Sequence, residues 1–221
     1  MNDDLAPLPI EHHEAQLADL LEIVRPATSL LDLGAGNGRT ALPLRDHGVD
    51  VFCVDNNSES LEHLRVAELP HVECDFLRAG WEHALDHNRF DTITILGNTL
   101  MLVHDVDHAV ELLTTLRMLI DDRGVLVIDA IPQMHWIEVS EGYWINGIDE
   151  SGETEFRWAP DDNVFTLRKP GTGDDKNDGF HQDDRLHRLW TMGELSLLAR
   201  ASGWNPPTLS RRETLLVFEP A

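Results

Sequence analysis

The first 130 residues alternate short apolar runs with amphipathic segments. The apolar runs have the length of buried strands. They lie at Ser29–Leu33, Val49–Val54, Val72–Cys74, Asp91–Leu96 and Val125–Ile128. Between them, apolar residues recur at the three- and four-residue spacing of helices. Strands that are apolar almost throughout and alternate with helices indicate a parallel sheet covered on both faces. The pattern therefore predicts a doubly wound α/β fold.

Two regions depart from this alternation. Residues 1–26 predict an N-terminal helical segment, because the helical apolar spacing that begins at Glu11 ends at Arg25-Pro26. Residues 131–190 hold four of the six tryptophans and several alternating segments, which are typical of antiparallel strands. We therefore expect a single domain over residues 1–221, with a small antiparallel β lid inserted after the fifth strand.

The α/β pattern returns after this insertion. Thr191 and Glu194 have capping-box spacing ahead of an apolar helix, which is predicted to end near Ser202. A last apolar run, Thr214–Phe218, follows it. The domain is therefore expected to close with one more helix and one more strand.

The net charge limits the partners of the protein. The chain has 40 acidic and 17 basic side chains among 221 residues, a formal charge of −23. Such a field repels a polyanion, so we expect no nucleic-acid partner. The sequence has no run of 18 apolar residues, and its N-terminus lacks the pattern of a signal peptide. We therefore expect no membrane partner and a cytoplasmic location.

The cysteines and histidines give no metal-ligand pattern. Cys53 and Cys74 are too few to form a metal cluster, and we interpret both as small buried hydrophobic residues. His104 and His108 lie four residues apart, but the acidic residues beside them fit the first turn of a helix better than a zinc site. No metal is expected.

A glycine-rich turn follows the first predicted strand. Gly34, Gly36 and Gly38 are spaced two residues apart after Asp32 and open a helix. Glycine suits such a turn, because it adopts positive φ at little cost and lets a ligand approach the backbone. A dinucleotide site has its third glycine three residues after the second, to pack the helix beneath a pyrophosphate. Arg39 occupies that position here, so the dinucleotide pattern is incomplete.

Acidic residues end the next two strands. Asp55 closes the second strand, where a carboxylate can accept hydrogen bonds from both hydroxyls of a ribose. Asp75, followed by Phe76, ends the third. Because the carboxyl ends of parallel strands meet at one edge of a sheet, these side chains are expected to share one ligand site with the glycine turn.

With these residues in register, the chain resembles the class I S-adenosylmethionine-dependent methyltransferases over nearly its whole length. The resemblance implies a seven-stranded, mostly parallel Rossmann-like sheet whose last strand is antiparallel. Gly97-Asn98, after the fourth strand, resembles a stretch of the small-molecule enzymes related to glycine and sarcosine methyltransferases. The Asn/Asp-Pro-Pro-Tyr motif of nucleic-acid amino-methylating enzymes is absent, in agreement with the charge.

The same resemblance implies how the cofactor S-adenosylmethionine would be held. Asp32 and the glycine turn would bind its amino-acid end, Asp55 its ribose hydroxyls, and Asp75 with Phe76 its adenine. The full cofactor set implied is Asp32, Gly34, Ala35, Gly36, Gly38, Asp55, Asn56, Asp75, Phe76, Gly97 and Asn98.

The implied reaction is methyl transfer to a small-molecule acceptor, leaving S-adenosylhomocysteine. It depends mainly on alignment of donor and acceptor, so the sequence marks no obligatory catalytic residue. The N-terminal helix and the 131–190 insertion are expected to roof the acceptor pocket. The candidates for acceptor contact are Arg39, Tyr143, Trp144 and Arg188.

Two alternatives stay open on the sequence. An NAD(P)-dependent oxidoreductase is favoured by Gly34, Gly36 and Asp55 and disfavoured by Arg39 in place of the third glycine. A noncatalytic S-adenosylmethionine-binding module would have the same cofactor residues. The sequence specifies neither the acceptor nor an oligomeric state.

Overall fold

The computed structural model describes residues 10–85, 89–149, 152–171 and 179–221. Residues 1–9 of the predicted N-terminal segment lie outside this part of the chain. The helices in it are α1 (Ile10–Ile23), α2 (Ala41–Asp46), α3 (Ser58–Val66), α4 (Val106–Leu119), α5 (Ile131–Glu141) and α6 (Met192–Ala201). The strands are β1 (Ser29–Leu33), β2 (Asp50–Asp55), β3 (His71–Glu73), β4 (Phe90–Ile95), β5 (Ile120–Asp129), β6 (Gly147–Ile148), β7 (Glu155–Trp158), β8 (Val164–Arg168), β9 (Leu186–Arg188), β10 (Thr208–Leu209) and β11 (Leu215–Phe218).

The main sheet has seven strands in the order β10-β11-β5-β4-β1-β2-β3. The strands β1 to β5 are parallel to their neighbours in this set, whereas β11 runs antiparallel to both β5 and β10. This confirms the predicted doubly wound sheet with an antiparallel last strand. The strand order reverses between β1 and β4, and this reversal is where a ligand crevice is expected at the carboxyl edge of such a sheet.

Apolar side chains fill both faces of this sheet. Leu31 and Leu33 of β1 belong to one core cluster, and the intervening Leu30 belongs to a second cluster on the opposite face. All three are fully buried. Alternate burial on two faces explains why the strands are apolar almost throughout, which was the pattern that predicted a doubly covered sheet.

The inserted region forms a second sheet, but it begins with a helix. Its antiparallel strands have the order β6-β7-β8-β9, in line with the predicted β insertion. Residues 131–141, which the sequence pattern assigned to this β region, instead form α5. The helix has a proline in its first turn and ends at Gly142, whose φ is +87°. Proline at a helix start and a left-handed glycine after its end are ordinary helix signals that the sequence interpretation missed.

Helix α1 is fastened to the far end of the chain. The buried carboxylate of Asp19 accepts hydrogen bonds from the hydroxyls of Ser210 and Thr214 at 2.5 and 2.7 Å. It also accepts one from the backbone N–H of Arg212 at 3.1 Å and forms an ion pair with the Arg212 guanidinium at 3.0 Å. These bonds hold the N-terminal helix against the turn between β10 and β11. Across the described residues, no helix combines the length and apolar character needed to span a membrane.

Candidate functional site

A cavity of about 530 Å³ lies at the carboxyl edge of the main sheet. Its walls come from the loops after β1, β2, β3 and β4, and from the start of β9 in the inserted sheet. This is the crevice that the reversal of strand order creates, and its volume is in the usual range for small-molecule sites. Ten of the eleven residues predicted to bind the cofactor line it. They are Asp32, Gly34, Ala35, Gly36, Asp55, Asn56, Asp75, Phe76, Gly97 and Asn98.

The glycine turn forms one wall of the cavity. The N–H groups of Gly34 and Ala35 donate to the carbonyl of Val54 at 2.8 and 3.1 Å, which ties the turn to the end of β2. Gly36 has a φ of +54°, and a Cβ added to it would meet nothing within 4 Å. The backbone at Gly36 is therefore open toward the cavity, as a close approach by a ligand requires.

Gly38, the eleventh predicted residue, has a packing role in this structure. A Cβ at this position would lie 2.7 Å from Cδ2 of Leu64 on α3 and 3.3 Å from Cγ of Leu42. Its φ is +82°. It is absent from the residues that line the cavity. The third glycine thus allows α3 to approach the turn closely.

Asp55 connects the second strand to the glycine turn. One carboxylate oxygen accepts a hydrogen bond from the Gly36 N–H at 2.7 Å, and the other accepts from the Asn57 N–H at 2.8 Å. Asn57 in turn caps α3, because its side chain accepts from the N–H groups of Glu59 and Ser60. The carboxylate is buried and fixed in orientation, and each oxygen keeps a further lone pair for a ligand.

Asp75 and Phe76 form the wall beyond β3. The Asp75 carboxylate accepts from the N–H of Leu77 at 3.1 Å and pairs with Arg78 at 3.2 Å. The ring of Phe76 is buried and meets the ring of Trp81 edge to face, with centroids 6.4 Å apart. An acid and an immobilised aromatic ring therefore lie side by side at this end of the cavity.

Asp32 is the buried acid beneath the glycine turn. Burial raises the pKa of its carboxyl group from 3.8 to about 6, despite a 2.6 Å hydrogen bond from Thr94 and the positive charge of Arg39. The nearby charge of Asp55 adds to the increase in pKa. A positive group of a ligand placed here would favour the ionised form of Asp32.

The loop after β4 forms the opposite wall. Gly97 and Asn98 have φ values of +73° and +63°, and the Asn98 N–H donates to Asp129 at 3.0 Å. The side-chain oxygen of Asn98 is buried, and within the described ranges no hydrogen bond reaches it. Buried polar atoms are normally paired, so this oxygen is an acceptor that a ligand could satisfy.

The side chain of Arg39, which directly follows the glycine turn, reaches this loop. One of its terminal nitrogens is 3.5 Å from the position that a Cβ would take at Gly97, and another contacts the ring of His13 on α1. Burial, and then the charges of Arg39 and His12, lower the pKa of His13. Arg39 was predicted to contact the acceptor, and the structure places it in the cavity wall beside Gly97.

Two residues that the sequence analysis did not select also line the cavity, and both belong to the insertion. Arg185 directly precedes β9, and His187 lies within it. The His187 ring is buried and stacks on Phe165 of β8, with centroids 5.4 Å apart. Residues 185 and 187 share one face of the strand, because side chains alternate along it. That alternation was visible in the sequence, but the face that meets the cavity was not.

The structure does not bring the other three predicted acceptor residues to the cavity. Tyr143 is 71% exposed, beyond the end of α5. Trp144 packs among the rings of His135, Phe156 and Phe165. Arg188 is on the other face of β9 from His187.

Arg188 is held by partners within the fold. Its guanidinium pairs with Asp162 at 2.5 Å and with Glu194 at 3.0 Å, and its Nε donates to the carbonyl of His104 at 2.7 Å. Only 6% of the side chain is exposed. These contacts join the insertion to α6 and to the residues after β4.

The described part of the chain brings together no group of three or more His, Cys, Asp or Glu side chains that could hold a metal ion. His104 and His108 belong to the start of α4, where the Asp105 side chain accepts a hydrogen bond from the His108 N–H. This is the helix start that the sequence predicted in place of a zinc site.

The α/β part of the chain also matches a known sequence family. Residues 30–124 match the family model described as a methyltransferase domain. Over these residues the chain is similar to that family. The match extends from β1 into β5 and therefore includes the glycine turn, Asp55, Asp75 and Gly97, which surround the cavity. No curated protein matches the sequence.

Several solved structures share the fold of this chain across nearly its whole length. The CcbJ methyltransferase from Streptomyces caelestis is 18% identical, with a TM-score of 0.62 over 96% of this chain and 90% of that one. The sugar N-methyltransferase KedS8 from Streptoalloteichus sp. is 16% identical, with a TM-score of 0.58 over 99% and 88%. A methyltransferase from Bacteroides fragilis, solved with S-adenosylhomocysteine, is 17% identical, with a TM-score of 0.58 over 97% and 76%. The match of residues 30–124 to a methyltransferase family model, on a fold shared with methyltransferase structures, supports an enzyme of this type and favours neither alternative.

Proposed function

We propose that the cavity binds S-adenosylmethionine and that the protein transfers its methyl group to a small-molecule acceptor, releasing S-adenosylhomocysteine. One observation carries this proposal. Asp32, Asp55 and Asp75, from three neighbouring strands, line a single cavity together with the glycine turn. The family match of residues 30–124 supports the same cofactor.

The cavity fits each part of this cofactor. The amino-acid end would lie over the glycine turn, where the backbone of Gly36 is open and Asp32 can face a positive amino group. Arg39, beside Gly97, would bind the carboxylate of that end. The fixed carboxylate of Asp55 would accept hydrogen bonds from the ribose hydroxyls.

The adenine would lie at the β3 end of the cavity. Phe76 offers a buried ring, and Asp75 offers a carboxylate beside it. Asn56, which directly follows Asp55 in the chain, also lines the cavity. The cofactor would therefore extend along the edge of the sheet, with its amino-acid end over β1, its ribose at β2 and its adenine near β3.

When bound, the cofactor supplies a methyl group on a sulfonium, so that an acceptor lone pair bonds to the methyl carbon as the carbon–sulfur bond breaks and its electrons stay on sulfur. The protein must align these groups and keep water away from them. Alignment of this kind can lower a barrier by about 7–11 kcal/mol. The loop after β4 and the start of β9 form the wall where an acceptor would meet the methyl group.

Titration calorimetry with S-adenosylhomocysteine tests the proposal, with NADH and NADPH titrated in parallel. We expect native protein to bind S-adenosylhomocysteine, and Asp55→Ala and Asp55→Asn to weaken binding at least about tenfold, because charged hydrogen bonds to the ribose are lost. Asp50→Ala is the matched control, since Asp50 is an exposed acid at the other end of β2. Thermal unfolding of each variant separates lost binding from lost folding.

Binding of a nicotinamide cofactor in place of S-adenosylhomocysteine would overturn the proposal. Equal affinities for native protein and both Asp55 variants would also overturn the assigned orientation. If the ligand binds as expected, cofactor with an isotopically labelled methyl group is then incubated with candidate acceptors. Methylated product distinguishes the enzyme from a noncatalytic binding module.

A further inference from the structure

The wall of the cavity contains a buried histidine in addition to the proposed cofactor residues. His187, on β9, lines the cavity, and it is only 5% exposed. Gly97, Asn98 and Thr99 of the loop after β4 line the same cavity. Imidazole is the side chain that ordinarily gains and loses a proton near neutral pH. A histidine enclosed in a reaction site is therefore a candidate for proton transfer.

The ring of His187 is held in one orientation by aromatic packing. It stacks on Phe165 of β8, with centroids 5.4 Å apart and an angle of 27° between the ring planes. Phe165 is fully buried and contacts the rings of Trp144 and Trp158. A general base must stay within reach of the proton that it removes, and this aromatic layer limits the positions that the imidazole can take.

Strand β9 brings this ring to the part of the cavity where methyl transfer is proposed to occur. The strand packs against the short 3-10 helix Thr99–Leu102, which follows the loop after β4. The indole N–H of Trp190 donates to the carbonyl of Leu100 at 3.2 Å and ties the end of β9 to that helix. His63 also lines the cavity, but it is exposed and lies on α3, which follows the proposed ribose-binding residue Asp55. His187 is therefore the histidine at the acceptor end.

We propose that His187 is the general base for an acceptor that reacts through a nitrogen or oxygen atom carrying a proton. This inference rests on the proposed function. The acceptor lone pair bonds to the methyl carbon, and the carbon–sulfur bond breaks with its electron pair left on sulfur. The acceptor proton moves to a ring nitrogen of His187, which becomes an imidazolium and releases the proton to solvent after the product leaves.

This role is compatible with other contacts of the imidazole. The ring has two nitrogens, so one can keep a partner within the fold while the other receives the proton. Loss of the proton leaves the methylated atom neutral. An acceptor without such a proton, such as a tertiary amine, would gain nothing from His187.

Other ionisable groups line the cavity, and the experiment must separate them from His187. They are Asp32, Arg39, Asp55, Glu59, His63, Asp75 and Arg185. Strand β8 meets the ring with Phe165, and the 3-10 helix Thr99–Leu102 has no ionisable residue. Burial raises the pKa of Asp32 to about 6, so cofactor binding has a pH dependence of its own. Methylation rates are therefore measured at saturating cofactor.

Kinetics of two His187 variants test the assignment. Benzylamine, glucosamine and catechol, which all carry a proton on the reacting atom, are incubated with S-adenosylmethionine labelled in its methyl group. The native rate should rise with pH, because only a neutral imidazole can take the proton. His187→Gln should lower the rate about 100-fold and abolish the contribution of His187 to this rise, without changing S-adenosylhomocysteine affinity. His83→Gln is the matched control, because His83 is exposed and outside the cavity wall.

Chemical rescue separates a base from a structural residue. Imidazoles of different basicity are added to His187→Ala at a pH where all of them are neutral. The restored rate should increase with the basicity of the added imidazole, which a loss of packing alone does not produce. Thermal unfolding of each variant shows whether it is folded.

An NMR titration of the native histidine rings needs neither an acceptor nor a folded variant. With S-adenosylhomocysteine bound, the His187 ring should change between its charged and neutral forms between about pH 5 and pH 9. A ring that keeps one protonation state over this range overturns the inference, and this titration decides if no compound of the panel is methylated. Equal rates and pH profiles for native protein and His187→Gln, or rescue that is independent of basicity, would also overturn it. Failure of S-adenosylhomocysteine itself to bind would instead overturn the proposed function.

Discussion

Thr99 lies directly against the backbone of Gly34. Its Cγ2 atom is 2.7 Å from the position that a Cβ on Gly34 would take, and its Oγ1 atom is 3.0 Å from that position. The hydroxyl of Thr99 donates to the carbonyl of Leu96 at 2.5 Å, so the side chain cannot turn away without losing this bond. The loops after β1 and β4 are thus packed together at the reversal of strand order. The shape of the cavity therefore depends on glycine at position 34.

Gly34→Ala is expected to destabilise the protein more than Gly36→Ala does. Both glycines have positive φ, which costs an alanine about 1–2 kcal/mol. Only Gly34 also has a side chain within 3 Å of the added methyl group, whereas Gly36 has nothing within 4 Å. Chemical unfolding of the two variants measures the difference, and S-adenosylhomocysteine titration should show weaker binding by both.

The Thr99→Ser background separates the clash from the backbone strain. Serine keeps the hydroxyl that bonds to Leu96 and removes the Cγ2 atom. Gly34→Ala should therefore cost less free energy of unfolding in Thr99→Ser than in native protein. An identical cost in both backgrounds would show that contact with Cγ2 of Thr99 does not contribute to the requirement for glycine.

Asp32→Asn is expected to stabilise the ligand-free protein at pH 7. Burial raises the pKa of Asp32 from 3.8 to about 6, so ionising this carboxyl group in the folded state costs about 3 kcal/mol. Asparagine has no such cost and can still accept the hydrogen bond from Thr94. The same change should weaken S-adenosylhomocysteine binding, because it removes the partner of the ligand's amino group.

The pH dependence follows from the sign of that shift. Between about pH 4 and pH 6 the folded protein binds more protons at Asp32 than the unfolded chain does, so native stability falls as pH rises. The stability gained by Asp32→Asn should be absent below pH 4 and complete above pH 6. Native affinity for S-adenosylhomocysteine should increase from pH 5 to pH 7, and the variant should lose that increase. A constant stability difference across this range would contradict the raised pKa.

Asp19→Ala is expected to cost at least about 2 kcal/mol of stability at pH 7, because it leaves the groups of Ser210, Arg212 and Thr214 without their acceptor. Burial opposes ionisation of Asp19, but these hydrogen bonds outweigh it and lower the pKa. A lowered folded-state pKa contributes stability above the ordinary pKa and loses it as pH falls. Urea unfolding at pH 7 and pH 3 should show the difference between native protein and variant shrinking in acid.

Arg188→Gln is expected to lower stability without changing cofactor affinity. The substitution leaves Asp162, Glu194 and the His104 carbonyl without a charged donor, at a cost of about 2–3 kcal/mol because the two acids are partly exposed. S-adenosylhomocysteine affinity should stay within about twofold of native, since Arg188 is not in the cavity wall. Arg65→Gln, which breaks an exposed pair with Glu62, is the control and should have little effect on stability. If Arg188→Gln lost affinity for S-adenosylhomocysteine and Arg65→Gln did not, Arg188 would belong to the ligand site and the prediction would be wrong.

The sequence by itself determined the parts that depend on neighbours along the chain. The strand β1, with the bounds Ser29–Leu33, and the capping box of Thr191 and Glu194 were predicted as the structure has them. Strand, glycine turn and terminal acid are local signals, and parallel strands must bring their carboxyl ends to one edge. The sequence alone therefore predicts that Asp32, Asp55 and Asp75 share one site, and all three line the cavity.

Only the tertiary structure decided which face of the insertion meets that cavity. Side chains alternate along β9, so they form two sets on opposite faces of the strand. Which set faces the cavity depends on the pairing of β9 with β8, in which His187 lies opposite Phe165. The sequence analysis selected Arg188, whose side chain is on the face of β9 away from the cavity. Arg185 and His187 are on the face that lines it. The packing role of Gly38 was equally hidden, because Leu64 lies on another element and approaches the turn only in the folded chain. Periodicity fixes the spacing of side chains, whereas contacts between distant segments fix their direction.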